Sequence, residues 1–385
     1  LSVEELINLA AGDPGKAQGG NLGAAGISVP GSAGETHRCA IDKGLASIIL
    51  ADGPAGLRLM KYYNVNEGKI ISMPFEFSLE GGLFYNGPAE LPGDRYCQYC
   101  TAIPVGTMLA QTWNTTLIEK VGAMIGKEME HFGVTLWLAP GMNIHRNPLC
   151  GRNFEYYSED PYVAGTIAAA MTNGVQSNYG CGTTIKHFAC NNQEFKRHDA
   201  NSIVSERALR EIYLRGFEIA VKQGGAYSIM STYGPVNGLW TAGNYDLLTT
   251  ILRKEWGYQG IVMTDWWAKI NEEGEPGSGR QTIPMVRAQN DIYMVVADAA
   301  SNSAGDNTAE GLADGRLTRA QLTRNAANIC GFLLRSVAME RFLDREEEEC
   351  TELHNPISTE GAGDSGQVLA RLELPEPKLL EEIEL

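Results

Sequence analysis

Short β-branched or apolar runs ending in polar residues alternate along this chain with segments of helical periodicity. That alternation restricts the fold more than any other feature. The runs fall at 46–52, 103–108, 134–143, 183–188, 227–232, 261–265 and 291–296. Helical patterns lie at 115–131, 161–178, 205–223, 245–256 and 318–334. In 205–223, Leu209, Ile212, Leu214, Phe217, Ile219, Ala220 and Val221 follow helical rather than alternating spacing. Strand-then-helix repetition of this kind predicts a parallel sheet with helices outside it. Seven or eight such units suit a (β/α)8 TIM-type barrel better than an open doubly wound sheet. No Gly-x-Gly-x-x-Gly follows the first run, so the dinucleotide-binding signature is missing. The expected fold class is α/β, a barrel with some irregularity.

Four stretches stand outside the rhythm. Leu1–Leu9 reads as a short helix, with Ser2 and Glu5 spaced as a capping box, and a Gly-rich, turn-prone stretch follows over 12–34. Residues 64–100 form a Gly/Pro-rich insertion carrying Phe75, Phe77, Phe84, Tyr85 and Tyr96, placed to fold over the barrel mouth or a partner. Residues 345–385 read as an extended acidic arm, with a disordered tail as the alternative. The expected barrel domain is 1–344.

Composition narrows the function classes. With 43% hydrophobic and 20% charged residues in 385, the chain is globular rather than disordered. No stretch approaches the roughly 18 consecutive apolar residues of a membrane helix. A net charge of −16 disfavours nucleic acid as a partner. The eight cysteines are scattered, which favours a reduced, cytoplasmic setting, and no charged-then-apolar signal segment is visible. Cys97 and Cys100 form a C-x-x-C without a second pair at zinc spacing, so ordinary thiols are favoured over a metal or redox site.

Polar residues just past barrel strands form the active face. Here these are Asp52, Arg58, Asn143, His145, Arg152, Lys186, His187, Tyr233 and Asp265. Carboxylates, cations and imidazole are directional partners for sugar hydroxyls, and Trp266 and Trp267 offer flat apolar surface. Asp265, alone, could be an attacking group, a general base, a sugar ligand, or a helix cap or ion-pair partner. His187 could be a core histidine, Arg152 a structural partner of Glu155, Glu159 or Asp160, and Asp52 a turn residue. Trp267 is expected to pack rather than to touch substrate. Glu194, Arg197, His198 and Asp199 are expected to organise a loop, without a catalytic role.

Six blocks in one order decide among these readings. They are Ala51-Asp-Gly-Pro-Ala-Gly-Leu-Arg58, Leu138-Ala-Pro-Gly-Met-Asn-Ile-His-Arg146, Cys150-Gly-Arg-Asn-Phe-Glu-Tyr-Tyr-Ser-Glu-Asp-Pro161, Lys186-His-Phe-Ala-Cys-Asn-Asn192, Ser231-Thr-Tyr-Gly-Pro-Val-Asn-Gly238 and Gly260-Ile-Val-Met-Thr-Asp-Trp266. The chain resembles the barrel domain of glycoside hydrolase family 3 β-glucosidases. The resemblance implies a retaining mechanism with Asp265 as nucleophile and a covalent glycosyl-enzyme intermediate. It implies that Asp52 holds distal hydroxyls of a nonreducing-end glucose. Arg58, Arg152, Lys186 and His187 become pocket donors, Tyr233 the neighbour of the nucleophile, and Met230 and Trp266 apolar walls. Cations near Asp265 are expected to lower its pKa. No cofactor is implied.

A retaining glycosidase also needs a proton donor. In the β-glucosidase branch it is a glutamate on an α/β-sandwich domain, which is not recognisable in this sequence. In another branch a His-Asp pair follows Lys-His-Phe-Pro-Gly-His-Gly, where this chain has Lys186-His-Phe-Ala-Cys-Asn-Asn. The acid/base glutamate is therefore expected on a separate polypeptide or on upstream sequence, with Glu76, Glu80 and Glu90 as weak local candidates. The expected partners are a glucoside or gluco-oligosaccharide substrate, the sandwich domain or chain, and a second copy in a homo-oligomer. The rival functions are a silent or partner-dependent sugar-binding subunit and a transglycosidase using the same nucleophile.

Overall fold

A computed structural model describes residues 1–13, 29–36, 39, 43–67, 69–72, 91–336 and 338–339. Its core is a closed ring of staves. Strands β1 (Gly12–Asp13), β2 (Gly34–Thr36) and β3 (Ile49–Ala51) pair antiparallel in turn. An antiparallel side sheet follows, made of β4 (Tyr62–Asn66), β5 (Lys69–Ser72) and β6 (Asp94–Cys97). The ring resumes with β7 (Leu136–Trp137), β8 (Gly182–Phe188) and β9 (Ser228–Ser231), each parallel to the stave before it. After a small hairpin of β10 (Pro235–Val236) and β11 (Leu239–Trp240) comes β12 (Ile261–Met263), parallel to β9.

Ile292 and Tyr293 close the ring. Met263 bridges Ile292 and Ala11 bridges Tyr293, both in parallel. Thr264 N–H donates to Ile292 O at 3.0 Å and Gly12 N–H to Tyr293 O at 2.8 Å. The result is an eight-stave α/β barrel in which β2 alone runs against the others. Closure leaves the ring no unpaired edge.

Local chemistry explains the outer helices. Helix Thr115–Phe132 starts at Asn114, whose side chain accepts the Leu117 amide, and stops at Gly133 in the left-handed region. Helix Pro161–Gln176 begins with proline in its first turn behind the cap Asp160. The two lie so close that a Cβ on Gly174 would stand 2.1 Å from Glu119 O. The capping box of Ser2 and Glu5 on helix Val3–Leu9 is formed, and helix Arg319–Leu333 is capped the same way by Thr318 and Gln321. Among the described residues no helix is long and apolar enough to cross a membrane.

Some expectations are corrected. The run at 103–108 is not a stave: Pro104 lacks an amide for a ladder, and helix Gly106–Gln111 starts directly after it. Residues 291–296 form bridges rather than a strand of their own. The single helix expected over 205–223 is three pieces, Glu206–Ala208, a π-helical Leu209–Tyr213 and Arg215–Gly224. The insertion carries the side sheet, where Tyr63 and Tyr96 stack at 5.7 Å. Phe75, Phe77, Phe84, Tyr85, Glu76, Glu80, Glu90 and the arm at 345–385 lie outside the described residues. Cys97 and Cys100 carry free thiols.

Candidate active site

The carboxyl ends of β3, β8, β9 and β12, with the loops that follow them, converge on one cavity of about 540 Å³. It is lined by Asp52, Arg58, Arg152, Lys186, His187, Met230, Tyr233, Asp265 and Trp266, all nine singled out as site residues from the sequence. Asn143 and His145 are not in it. Asn143 lies behind His187, holding its backbone: Asn143 Nδ2–H donates to His187 O at 2.9 Å, and His187 N–H donates to Asn143 Oδ1 at 2.8 Å. His145 faces a neighbouring groove with Met108 and Phe154.

Asp52 follows β3 and enters a turn that needs glycine, since Gly53 has φ +114 and a Cβ there would stand 2.0 Å from Gly56 O. The turn brings Arg58 back, so that Arg58 Nη2 donates to Asp52 Oδ2 at 2.7 Å. Lys186, on β8, donates to Asp52 Oδ1 at 2.9 Å. Burial would raise the Asp52 pKa, but Lys186 and Arg58 outweigh it and hold the carboxyl well below the usual range. Beside it, Arg152 grips Glu155 through Nε at 2.7 Å and Nη2 at 2.8 Å, a two-point clamp of fixed geometry. The Arg152–Glu155 pair considered from the sequence exists and forms part of the cavity wall.

Asp265 sits just past β12 and is 6% exposed. Its Oδ1 accepts the Trp266 amide at 2.8 Å. Its Oδ2 is buried with no hydrogen-bond partner, and the nearest cationic-type atom is His187 Nε2 at 3.6 Å. An orphaned carboxylate oxygen of this kind is costly in a folded interior. Burial pushes the Asp265 carboxyl up to about 6, against the opposing pull of Arg152, Lys186, the Trp266 amide and Tyr233. This corrects the expectation of a lowered pKa: the cations act in the expected sense, but desolvation is larger. At neutral pH the carboxyl is still mostly ionised.

His187 is held neutral, because burial first and then Arg152, Lys186 and Arg197 disfavour its cation. The contact with Asp265 is therefore not an ion pair. Tyr233 closes the other side, its hydroxyl kept protonated by burial and by the Asp265 charge. Trp266 is fixed by its indole N–H, which donates to Ala33 O at 3.1 Å. Trp267 lies outside the cavity, in line with its expected lack of substrate contact, but at 40% exposed it is not packed as expected.

Two charged residues of the cavity, Glu155 and Arg197, carry no pocket role in the sequence reading, which makes Glu155 a partner of Arg152 and Arg197 a loop organiser. The Arg197 guanidinium lies 4.5 Å over the Tyr233 ring and pairs with Glu194 at 2.8 Å. The three-residue spacing of Glu194 and Arg197 beside the Lys-His block was the available signal.

Residues 92–331 match the N-terminal domain of glycosyl hydrolase family 3. A β-glucosidase of Ruminococcus albus is 50% identical over 293 residues, covering 76% of this chain and 30% of that protein. An exo-α-(1→6)-L-arabinopyranosidase of Bifidobacterium breve is 39% identical over 284 residues, covering 74% of this chain and 32% of that protein. The solved structure of a β-glucosidase from Paenibacillus barengoltzii superposes with a TM-score of 0.74 at 45% identity, covering 89% of this chain and 33% of that one. The chain spans about a third of the length of these relatives.

Proposed function

The chain belongs to glycosyl hydrolase family 3, and we propose that it is the barrel part of a retaining β-glucosidase in which Asp265 is the nucleophile. The observation that carries this is the Asp265 carboxylate, with one oxygen pinned by the Trp266 amide and the other partnerless in a cavity wall. Oδ2 bonds to the anomeric carbon as the bond to the leaving oxygen breaks, and an external acid protonates that oxygen. Water then attacks the anomeric carbon of the glycosyl ester, gives its proton to the now deprotonated external group, and releases Asp265 as a carboxylate. Asp52, ionised between Lys186 and Arg58, accepts hydrogen bonds from distal hydroxyls of the nonreducing-end sugar. Arg58, Arg152, Lys186 and His187 supply donors, while Met230 and Trp266 flank the ring.

The proton donor comes from a second domain or chain. Among the described residues lining the cavity, the other two carboxylates, Asp52 and Glu155, are each committed to cations. Asp52, kept ionised by Lys186 and Arg58, has no proton to give, and Glu155 turns both of its oxygens to Arg152. In this reading the barrel is 1–344, and full activity depends on the part that supplies the acid. Glucose is the favoured sugar, because the relative at 50% identity is named a β-glucosidase. L-arabinopyranose is the competitor, from the relative at 39% identity.

An aryl glucoside with a strongly acidic leaving group needs little protonation, so it tests the barrel without its partner. Proton NMR of the reaction should show β-glucose forming first and mutarotating later. First appearance of α-glucose would overturn the retaining mechanism, and faster release from the aryl α-L-arabinopyranoside would overturn the choice of sugar.

A further inference from the structure

The inner side of His187 meets a buried chain of polar groups that the proposed reaction does not use. Tyr156, Asn191 and His187 are 0%, 4% and 1% exposed. Asn191 Nδ2–H donates to the Tyr156 hydroxyl oxygen at 2.9 Å, and its amide orientation is supported by Glu194 Oε1 at 3.5 Å from the same nitrogen. The Tyr156 hydroxyl lies 3.1 Å from His187 Nδ1. Asn143 Oδ1, which accepts the His187 backbone amide at 2.8 Å, lies farther from Nδ1, at 3.4 Å.

A neutral imidazole carries one N–H, and its site is set by the hydrogen bond at the other nitrogen. The Tyr156 oxygen accepts a hydrogen bond from Asn191, and its own O–H, with Nδ1 as the acceptor in reach at 3.1 Å, donates there. Nδ1 is then the acceptor, and the ring proton belongs on Nε2, the atom 3.6 Å from Asp265 Oδ2. We infer that Tyr156 and Asn191 are positioning residues that hold His187 as the Nε2–H tautomer, so that a donor rather than a lone pair faces Asp265. The opposite tautomer would turn a lone pair toward an anionic oxygen and penalise the ionised carboxylate. The catalytic consequence rests on Asp265 being the nucleophile; the tautomer itself does not.

The test is two-bond proton–nitrogen NMR of the full chain labelled with nitrogen-15 histidine at pH 7. There are six histidines, and the His187 signals are assigned by their loss in His187→Gln. The expected wild-type pattern is a protonated Nε2 and a bare Nδ1. In Tyr156→Phe the Nδ1–H form should gain population, and kcat on an activated aryl glucoside should fall about tenfold or more with KM little changed. A protonated Nδ1 in the wild-type protein overturns the inference without recourse to any variant. So does a tautomer that ignores Tyr156→Phe. If the spectra agree but Asp265 is not the residue that bonds to the sugar, the proposed function fails and the tautomer assignment stands.

Discussion

Lys186 Nζ lies 2.9 Å from Asp52 Oδ1, joining β8 to the turn after β3 across the cavity wall. The lysine side chain is nearly buried, and the same cation is one of the two that oppose the raised pKa of Asp265. One charge thus serves two carboxylates. Lys186→Met should lower kcat/KM on an activated aryl glucoside at least about a hundredfold, because it leaves Asp52 underpaired and Asp265 harder to ionise. The acid limb of the pH profile should also move above its wild-type position. Steady-state kinetics from pH 4 to 8 check both, and an unmoved limb would remove Lys186 from the electrostatics of Asp265.

The pH profile of the wild-type protein follows from Asp265 itself. Its carboxyl is pushed up to about 6 by burial, and only the ionised form attacks. With a leaving group that needs no acid, kcat/KM should be flat above pH 7, half-maximal near pH 6 and fall about tenfold per unit below that. Full activity at pH 4.5 would mean that the ionising group is an ordinary exposed carboxylate.

The same shift has a consequence for stability. A carboxyl whose folded pKa lies above its unfolded value favours the fold fully below the unfolded value, and that contribution is lost as pH rises through the folded one. For Asp265 the window runs from 3.8 to about 6. By pH 7 the ionised carboxylate costs about 3 kcal/mol relative to an unshifted group. Asp265→Asn should therefore melt higher than the wild-type protein at pH 7, and the gap should close toward pH 4. Thermal unfolding at the two pH values tests the sign.

How much of this was legible in the sequence depended on the range of the interaction. Alternation and the Ser2–Glu5 capping box are local signals, and they marked the staves from β3 on and the first helix, whereas β1 and β2 begin in the Gly-rich stretch over 12–34 that reads as turn-prone. The run at 103–108 misled because its apolar content resembles a stave, while Pro104 and the glycine at 106 favour a loop and a helix start. The side residues of the site came from the family blocks, not from spacing alone. Asn143 and His145 could not be told from cavity residues, since the irregular chain after β7 sets which way each side chain turns. Arg197 depends on its stacking over Tyr233, which exists only in the folded chain. The raised pKa of Asp265 depends on depth in the barrel, and no neighbour in the sequence reports depth.

Asp291 tests the closure of the ring rather than the site. Its Oδ2 accepts Arg253 Nη2 at 2.7 Å and the Val262 amide at 2.9 Å, and its Oδ1 accepts Asn328 Nδ2 at 2.8 Å. These bonds tie β12, helix Arg319–Leu333 and the closing stave together. Asp291→Ala leaves Arg253 buried without its partner and should cost about 3–5 kcal/mol. Denaturant unfolding measures this, and a loss below 1 kcal/mol would mean that the closing stave is held by other contacts.

The most direct test of Asp265 as nucleophile is to trap it. The chain is incubated with 2-deoxy-2-fluoro-β-glucosyl fluoride or a dinitrophenyl equivalent, digested, and mapped by mass spectrometry. The account predicts one fluoroglucosyl adduct on the peptide containing Asp265, absent from Asp265→Asn. An adduct on any other residue, or turnover of the unfluorinated substrate with no adduct, would contradict it.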